Sequence, residues 1–599
     1  MSAASVFPRK TVPERVNPSL HVNQQRMPGH TPMRTRMTAW TTLAAWLAVA
    51  TLSTALRLAV PPYPIYGADN DDKLMVALAR SILDGTWTAP WTDLRMCKGA
   101  GYPLFLAAIH PFGVPPTLAV HLLLLLGGTI LMAILIRLKA GRGPAVVLFA
   151  LLAFDPVFLG SSGSRIYRDP FIAAMVLNCF ALIALTTSLL TSSRPRGQRS
   201  ALVTMSATAA GVGSGWLSVT KPDTLIWFVP AAVGAALLPL FARDAWKVVL
   251  SASRKLLVAA LVAAAIGLVG VVAGVSYLNN QYNGVFLTED FGRGAFQAAW
   301  RALTSIDTGT VRRRVPITRA HREAAYGVSE TARSLRPYLE GPPNTGWKAD
   351  SCAASMICDE SSAWFPWEFR QAAMSVLTAR TPNEPVTAAR FQALFRTIAE
   401  DIERACSDGR LPCLPGSPVV GLPAPRNMEP WSALRGGWQQ FRNNLDLELV
   451  TKSETFPPTS RSNEALWVGT VAGVRAADRP ATVPPEGAVW SIVGTLAALY
   501  RWGAWLALLP ALGGMLVGFS IAPNIRGITV AGASCLATIV IHMAFLGLLS
   551  EEGGLYNELY PMDSHPLLLI SLALGVTCAV RGAAALRDFL PAPMQRNPD

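Results

Sequence analysis

Three acids fall within four residues at Asp69, Asp71 and Asp72, directly before the helix-like stretch that runs from Lys73 to Leu83. Carboxylates this close raise one another's pKa and call for a cation, a shared proton or a cationic partner. The same segment closes on Lys98-Gly-Ala-Gly-Tyr102-Pro103. A second polar island, Ser161-Ser-Gly-Ser-Arg-Ile-Tyr-Arg-Asp-Pro170, holds Arg165, Arg168 and Asp169, and a third is Thr220-Lys-Pro-Asp223. A carboxylate can take a proton from an attacking group, while Lys and Arg can hold a phosphate. Each island also has a plain structural reading. Acidic loops solvate or cap helices, and Asp169 before Pro170 suits a helix N-cap with Pro at the first helical position. Lys221 differs, since an ionisable residue at membrane depth is by default functional or the partner of such a residue.

The elements that must carry these islands are membrane helices. Of 599 residues, 51% are hydrophobic and only 15% charged, with a mean hydropathy of +0.33. A soluble domain carries about 25% charge. Apolar runs of spanning length occur at Ala39–Val60, Thr117–Ile136, Pro144–Leu159, Pro170–Leu190, Ala201–Val219, Thr224–Phe241, Leu256–Tyr277, Trp502–Ile521, Gly527–Leu549 and Pro566–Val580. The expected fold class is therefore an all-α polytopic membrane protein of about ten helices. The net charge of +14 sits beside these runs, which argues for topology signals and against nucleic acid. A secreted domain and a single-pass receptor are equally disfavoured. Threading the runs from a cytoplasmic N-terminus puts Arg137/Lys139/Arg142, Arg194/Arg196/Arg199, Arg243/Lys247/Arg254/Lys255, Arg526 and Arg581/Arg587 on the inner side. All three polar islands then lie outside.

The expected organisation is a basic, disordered cytoplasmic tail (1–38), an N-terminal membrane module with the polar outer loops (39–277), an extracytoplasmic insert (278–487), a C-terminal membrane module (488–587) and a short cytoplasmic tail (588–599). The run after the basic tail is too long for the core of a signal peptide and lacks a cleavage motif. The stretch Leu104–Phe112 is too short to span and reads as a re-entrant or surface helix. In the insert, Cys352, Cys358, Cys406 and Cys413 suggest two disulfides in an oxidising compartment. The short pairings Cys352–Cys358 and Cys406–Cys413 come first among the three possible, and the spacings miss a zinc pattern. Phe391, Leu394, Phe395, Ile398 and Ile402 mark an amphipathic helix over Thr387–Cys406. Trp364, Phe365, Trp367 and Phe369 suit a small core, sugar stacking or an interfacial contact. Prolines from Pro457 to Pro485 form a linker, after which Ala488–Tyr500 is expected along the membrane surface.

At these residues the chain resembles a family. Asp71-Asp72-Lys-Leu-Met-Val-Ala-Leu-Ala-Arg80, Gly85-Thr-Trp87, Pro90, Lys98 and Gly101-Tyr-Pro103 resemble the first extracytoplasmic loop of GT-C glycosyltransferases. The pattern is similar to that of protein O-mannosyltransferases and bacterial lipid A aminoarabinose transferases. Arg168-Asp169 resembles the family's second-loop acid, and Val219-Thr-Lys221 its Thr-Lys before a helix. The likeness covers roughly residues 39–245. It departs at Lys98-Gly-Ala, where the family has Lys-Pro-Pro, and at Asn557-Glu-Leu-Tyr-Pro561, where the family often has Arg before Tyr.

The resemblance implies a GT-C bundle that moves a sugar from a polyprenyl-phosphate carrier to a glycan, lipid or protein acceptor outside the cytoplasm, usually with inversion. It implies Asp71 as base with Asp72 beside it and Asp169 near, and Lys98, Arg168 and Lys221 as a clamp on the donor phosphate. Tyr102 and Arg165 would contact donor or acceptor. A divalent metal bridging Asp71 and Asp169 is left open, since some relatives use one and others none. The abundance of Ala, Gly, Arg and Pro suggests a bacterial plasma membrane, and an endoplasmic reticulum location would keep the same sidedness. Two readings from other classes stand beside it: a transporter of a lipid or solute using Lys221, and a noncatalytic GT-C-like envelope scaffold.

Overall fold

The computed structural model describes residues 33–60, 71–138, 140–190, 194–221, 243–447, 488–520, 526–554 and 560–589, together with 192 and 450. Among these the protein is all helical, with one isolated bridge between Ile306 and Cys413. Its main helices are α1 (Met33–Ala59), α2 (Asp72–Leu83), α3 (Gly101–Ile109), α4 (Pro116–Arg137), α5 (Arg142–Ala153), α6 (Pro156–Leu159), α7 (Arg168–Leu190), α8 (Arg196–Thr220) and α9 (Arg243–Asn283). After these come α10 (Gly294–Ser305), α11 (Phe365–Arg380), α12 (Ala388–Ser407), α13 (Ser432–Leu445), α14 (Ala488–Ser520), α15 (Arg526–Glu551) and α16 (His565–Phe589).

Among the described residues nine segments are long and apolar enough to cross a membrane. The expected span Thr224–Phe241 lies outside the described residues. Apolar side chains such as Leu261, Ile266, Leu506 and Leu509 stand exposed on α9 and α14. Among the described residues nothing covers them, and a bilayer is the solvent that makes such faces stable. The chain is an integral membrane protein.

The expected span at Pro144–Leu159 is present but broken inside, and one local expectation is corrected. The run Pro144–Leu159 is not one continuous helix, because Pro156 has no amide to continue α5 and the Asp155 side chain accepts from the Val157 N–H at 3.0 Å, starting α6 anew. Ala488–Tyr500 does not form a separate surface helix but is the first part of the 33-residue α14. Pro510 inside that helix does not end it, as is common in membrane helices, where neighbours re-satisfy the freed backbone.

Between α9 and α14 the chain builds a second core. Phe391, Leu394, Phe395, Ile398 and Ile402 on α12 turn inward as their spacing predicts, and Thr387 caps the helix by accepting from the Arg390 N–H. They pack on Phe296 and Trp300 of α10 and on Phe365 and Phe369 of α11, so half of the aromatic cluster is core. Trp367 stacks on Phe291, 4.9 Å between centroids, on the side toward the membrane bundle. Disulfides join Cys352 to Cys358 and Cys406 to Cys413.

Trp91 and Met96, from the loop that ends on Lys98, belong to this second core. They are fastened by Arg370, only 1% exposed, whose guanidinium pairs with Asp290 Oδ1 at 2.9 Å and donates through Nε to the Asp93 carbonyl at 3.0 Å. The Phe391 ring lies 4.8 Å from that guanidinium. Removing one partner of a buried pair leaves an uncompensated charge. Arg370→Met should therefore cost about 3–5 kcal/mol, read as a lower unfolding temperature of the purified chain, and Asp290→Leu added to it should restore much of the loss.

Candidate functional site

The polar islands meet where the end of α1, the starts of α2, α7 and α16 and the end of α8 come together. Asp71 takes the N-cap position of α2, yet its side chain makes no capping bond. It turns instead to Lys98, which binds its Oδ1, while Arg165 lies 3.8 Å from Oδ2. Asp72, in the first turn of α2, pairs with Arg165 at 2.6 Å. The Lys98 ammonium also donates to the Tyr167 hydroxyl at 3.1 Å, and Lys98, Arg165 and Arg168 stand 5.1, 5.1 and 5.7 Å from the Tyr167 ring centre. A phenol face attracts cations, so Tyr167 is a common platform for three of them.

Asp169 lies inside the first turn of α7, not at its N-cap, because the helix begins at Arg168. Its carboxylate is fully buried, with Lys221 at 3.8 Å. Lys221 caps the C-terminal end of α8 and makes its nearer ion pair, 2.9 Å, with Asp563, and its ammonium sits 4.2 Å from the Tyr560 ring centre. Arg168 donates to the Thr220 carbonyl at 3.4 Å. Tyr102 is buried, its ring packed against Phe105 and Phe171 at 5.8 and 5.7 Å.

Four cations thus meet four carboxylates, and the acids differ in access. The Asp71 side chain is 30% exposed, against 2% for Asp72 and 0% for Asp169 and Asp563. Burial alone would raise the Asp71 pKa, but Lys98 first, then Arg165 and Arg168, hold it below its ordinary 3.8, so it is ionised at neutral pH. Burial lowers the Lys98 pKa against the pull of Asp71. Among the described residues no group of three or more His, Cys, Asp or Glu is placed to hold a metal. Asp71 is met by Lys98 and Arg165, and Asp169 by Lys221, an arrangement of ion pairs that does not fit a bridging cation.

Asp563, Tyr560, Tyr167 and Arg57 escaped the sequence reading. Arg57 sits buried in the last turn of α1 and donates to the carbonyls of Phe158 and Val60, at 2.5 and 2.8 Å, and to the Ser164 hydroxyl. An arginine inside an apolar run was the available signal. For Asp563 it was an acid three residues after Tyr560, at the edge of the last apolar run.

Two glycines explain why the loop can approach α8. A Cβ on Gly99 would lie 1.9 Å from the Val219 carbonyl oxygen, and one on Gly101 2.1 Å from Thr220 Oγ1. Only glycine permits these contacts, which set Lys98 beside the end of α8 that carries Lys221. Compared with known proteins, the chain matches no family model and no curated protein. It is similar to two solved structures from Cupriavidus metallidurans. One is ArnT in the apo state, 13% identical over 91% of this chain and 78% of that one, with a TM-score of 0.28. The other is ArnT bound to undecaprenyl phosphate, 14% identical over 91% and 79%, with a TM-score of 0.27.

Gly99→Ala should destabilise the chain by about 1–3 kcal/mol in thermal unfolding. Gly143→Ala is the control, since a Cβ there meets nothing within 4 Å and the change should stay within about 0.5 kcal/mol.

Proposed function

We propose that the protein is a GT-C-type glycosyltransferase that moves a sugar from a polyprenyl-phosphate donor to an acceptor hydroxyl or amine outside the cytoplasm. The observation that carries this reading is the state of Asp71, the one accessible carboxylate among four, ionised, free of its capping role and held by a lysine in a cluster rich in cations. In the reaction the acceptor heteroatom attacks the anomeric carbon on the face away from the phosphate. The carbon–oxygen bond to phosphate breaks with its electron pair leaving on the phosphate, and the acceptor proton passes to an Asp71 oxygen. Lys98, Arg168 and Lys221, with Arg165, stabilise the phosphate charge that develops as the bond opens.

In the resting state Lys98 makes Asp71 a weak base. A donor phosphate competes with Asp71 for Lys98 and Arg165, and as those cations turn to the phosphate the Asp71 pKa rises toward its ordinary value. Binding of the donor thus activates the base. The positive-inside pattern supports a cytoplasmic N-terminus with this cluster on the outer face of the plasma membrane. The cysteine pairs support an oxidising environment around the insert, whose clamp on the loop before Lys98 supports a part in acceptor choice. A transporter reading draws on the buried Lys221–Asp563 pair, but predicts no bond cleavage.

Asp71→Asn should lower turnover about 10²–10⁴-fold, the usual worth of a general base, with donor affinity retained or tightened because Lys98 is released. Lys98→Met should raise the donor Kd instead. Steady-state kinetics beside donor binding separates the two, and an Asp71→Asn protein with full turnover would remove Asp71 from the mechanism.

A further inference from the structure

Helix α13 has two unlike faces. Gly436 and Gly437 press on α15, where a Cβ would fall 2.6 Å from the Gly547 carbonyl oxygen or 3.1 Å from the Ala544 Cα, and Gln440, Asn443 and Asn444 are also buried. On the other face Trp431, Leu434 and Trp438 recur at three- and four-residue steps and are exposed, Trp438 to 56%. Large apolar side chains exposed in a row beside spanning helices belong in the interfacial layer of a bilayer. That row continues onto α14, where Leu499, Trp502, Leu506 and Leu509 form one exposed apolar face, Trp502 to 67%.

Where α13 meets α14 a groove of 470 Å3 is lined by Trp438, Arg442, Asp446, Arg501, Trp502 and Trp505. Asp446 closes its floor. It accepts from Trp505 Nε1 at 3.0 Å and pairs with the Nε atoms of Arg442 and Arg501 at 3.3 and 3.4 Å. Two guanidiniums more than half exposed share one carboxylate, which leaves the groove with one positive charge in excess. Three indoles frame it, and Trp is the side chain that favours the level of lipid headgroups.

We infer that this groove binds the phosphate headgroup of an anionic membrane phospholipid, with the acyl chains lying along the exposed faces of α13 and α14. The guanidinium fork matches phosphate geometry, and the apolar faces on either side match the chains. Asn444, two residues before Asp446, donates to the Pro561 carbonyl at 2.8 Å, so the bound lipid lies one short step from the segment that carries Asp563. This inference is independent of any transferase activity.

The test is native mass spectrometry of the full chain in detergent, titrated with phosphatidylglycerol or phosphatidylcholine. The wild type should bind phosphatidylglycerol about tenfold more tightly, equivalent to 1.4 kcal/mol, and Arg442→Gln/Arg501→Gln should bind both lipids equally. Asp446→Asn keeps an acceptor for Trp505 but removes the shared negative charge, and should strengthen the preference. Equal binding of both lipids by the wild type, a preference intact in the double variant, or an Asp446→Asn protein unchanged from wild type overturns the inference.

Discussion

Charge neutrality in a place with little water governs this protein. Asp72, Asp169 and Asp563 have almost no solvent contact, and Arg165 or Lys221 stands against each of them. The partners come from distant parts of the chain, and the Lys221–Asp563 pair alone links residues 342 apart. Much of the local structure follows from keeping them together. Gly99 and Gly101 let the first loop touch α8, Arg57 ties the end of α1 to the turn before α7, and Arg370 holds the loop from the other side.

Within that balance one carboxylate is treated differently. Asp71 shares Arg165 with Asp72 and remains accessible, so an arriving anion can exchange places with it at Lys98 and Arg165 while Asp72 keeps its arginine. Exchange of one anion for another is inexpensive where loss of an anion would not be. The deeper Lys221–Asp563 pair is buried on both sides, so Lys221 adds its charge to the phosphate site while keeping Asp563 beside it.

Much of this was legible in the residues. The positions of the described spans followed from apolar length, and the α12 stripe from its 3.6 period, because both depend only on local sequence. Asp71, Lys98, Asp169 and Lys221 stood out as polar islands at the ends of apolar runs, and the structure gathers them. What was not legible depends on contact across the chain. Nothing near Asp563 announces Lys221, and Tyr167 is an ordinary residue until three cations surround its ring. The continuity of α14 through 488–500 was missed because a hydrophobic helix segment after a Pro-rich stretch looks alike whether it lies on the membrane or enters it.

The most direct measurement is release of free polyprenyl phosphate when the purified wild-type chain is given a panel of polyprenyl-phosphate sugars and a crude envelope extract as the source of acceptor. With a transferase site at Asp71 at least one donor is cleaved, and the sugar is recovered on an extract component in inverted anomeric configuration. If every donor is recovered intact, or moves across a reconstituted bilayer without cleavage, the cluster at Asp71 is not a transferase site.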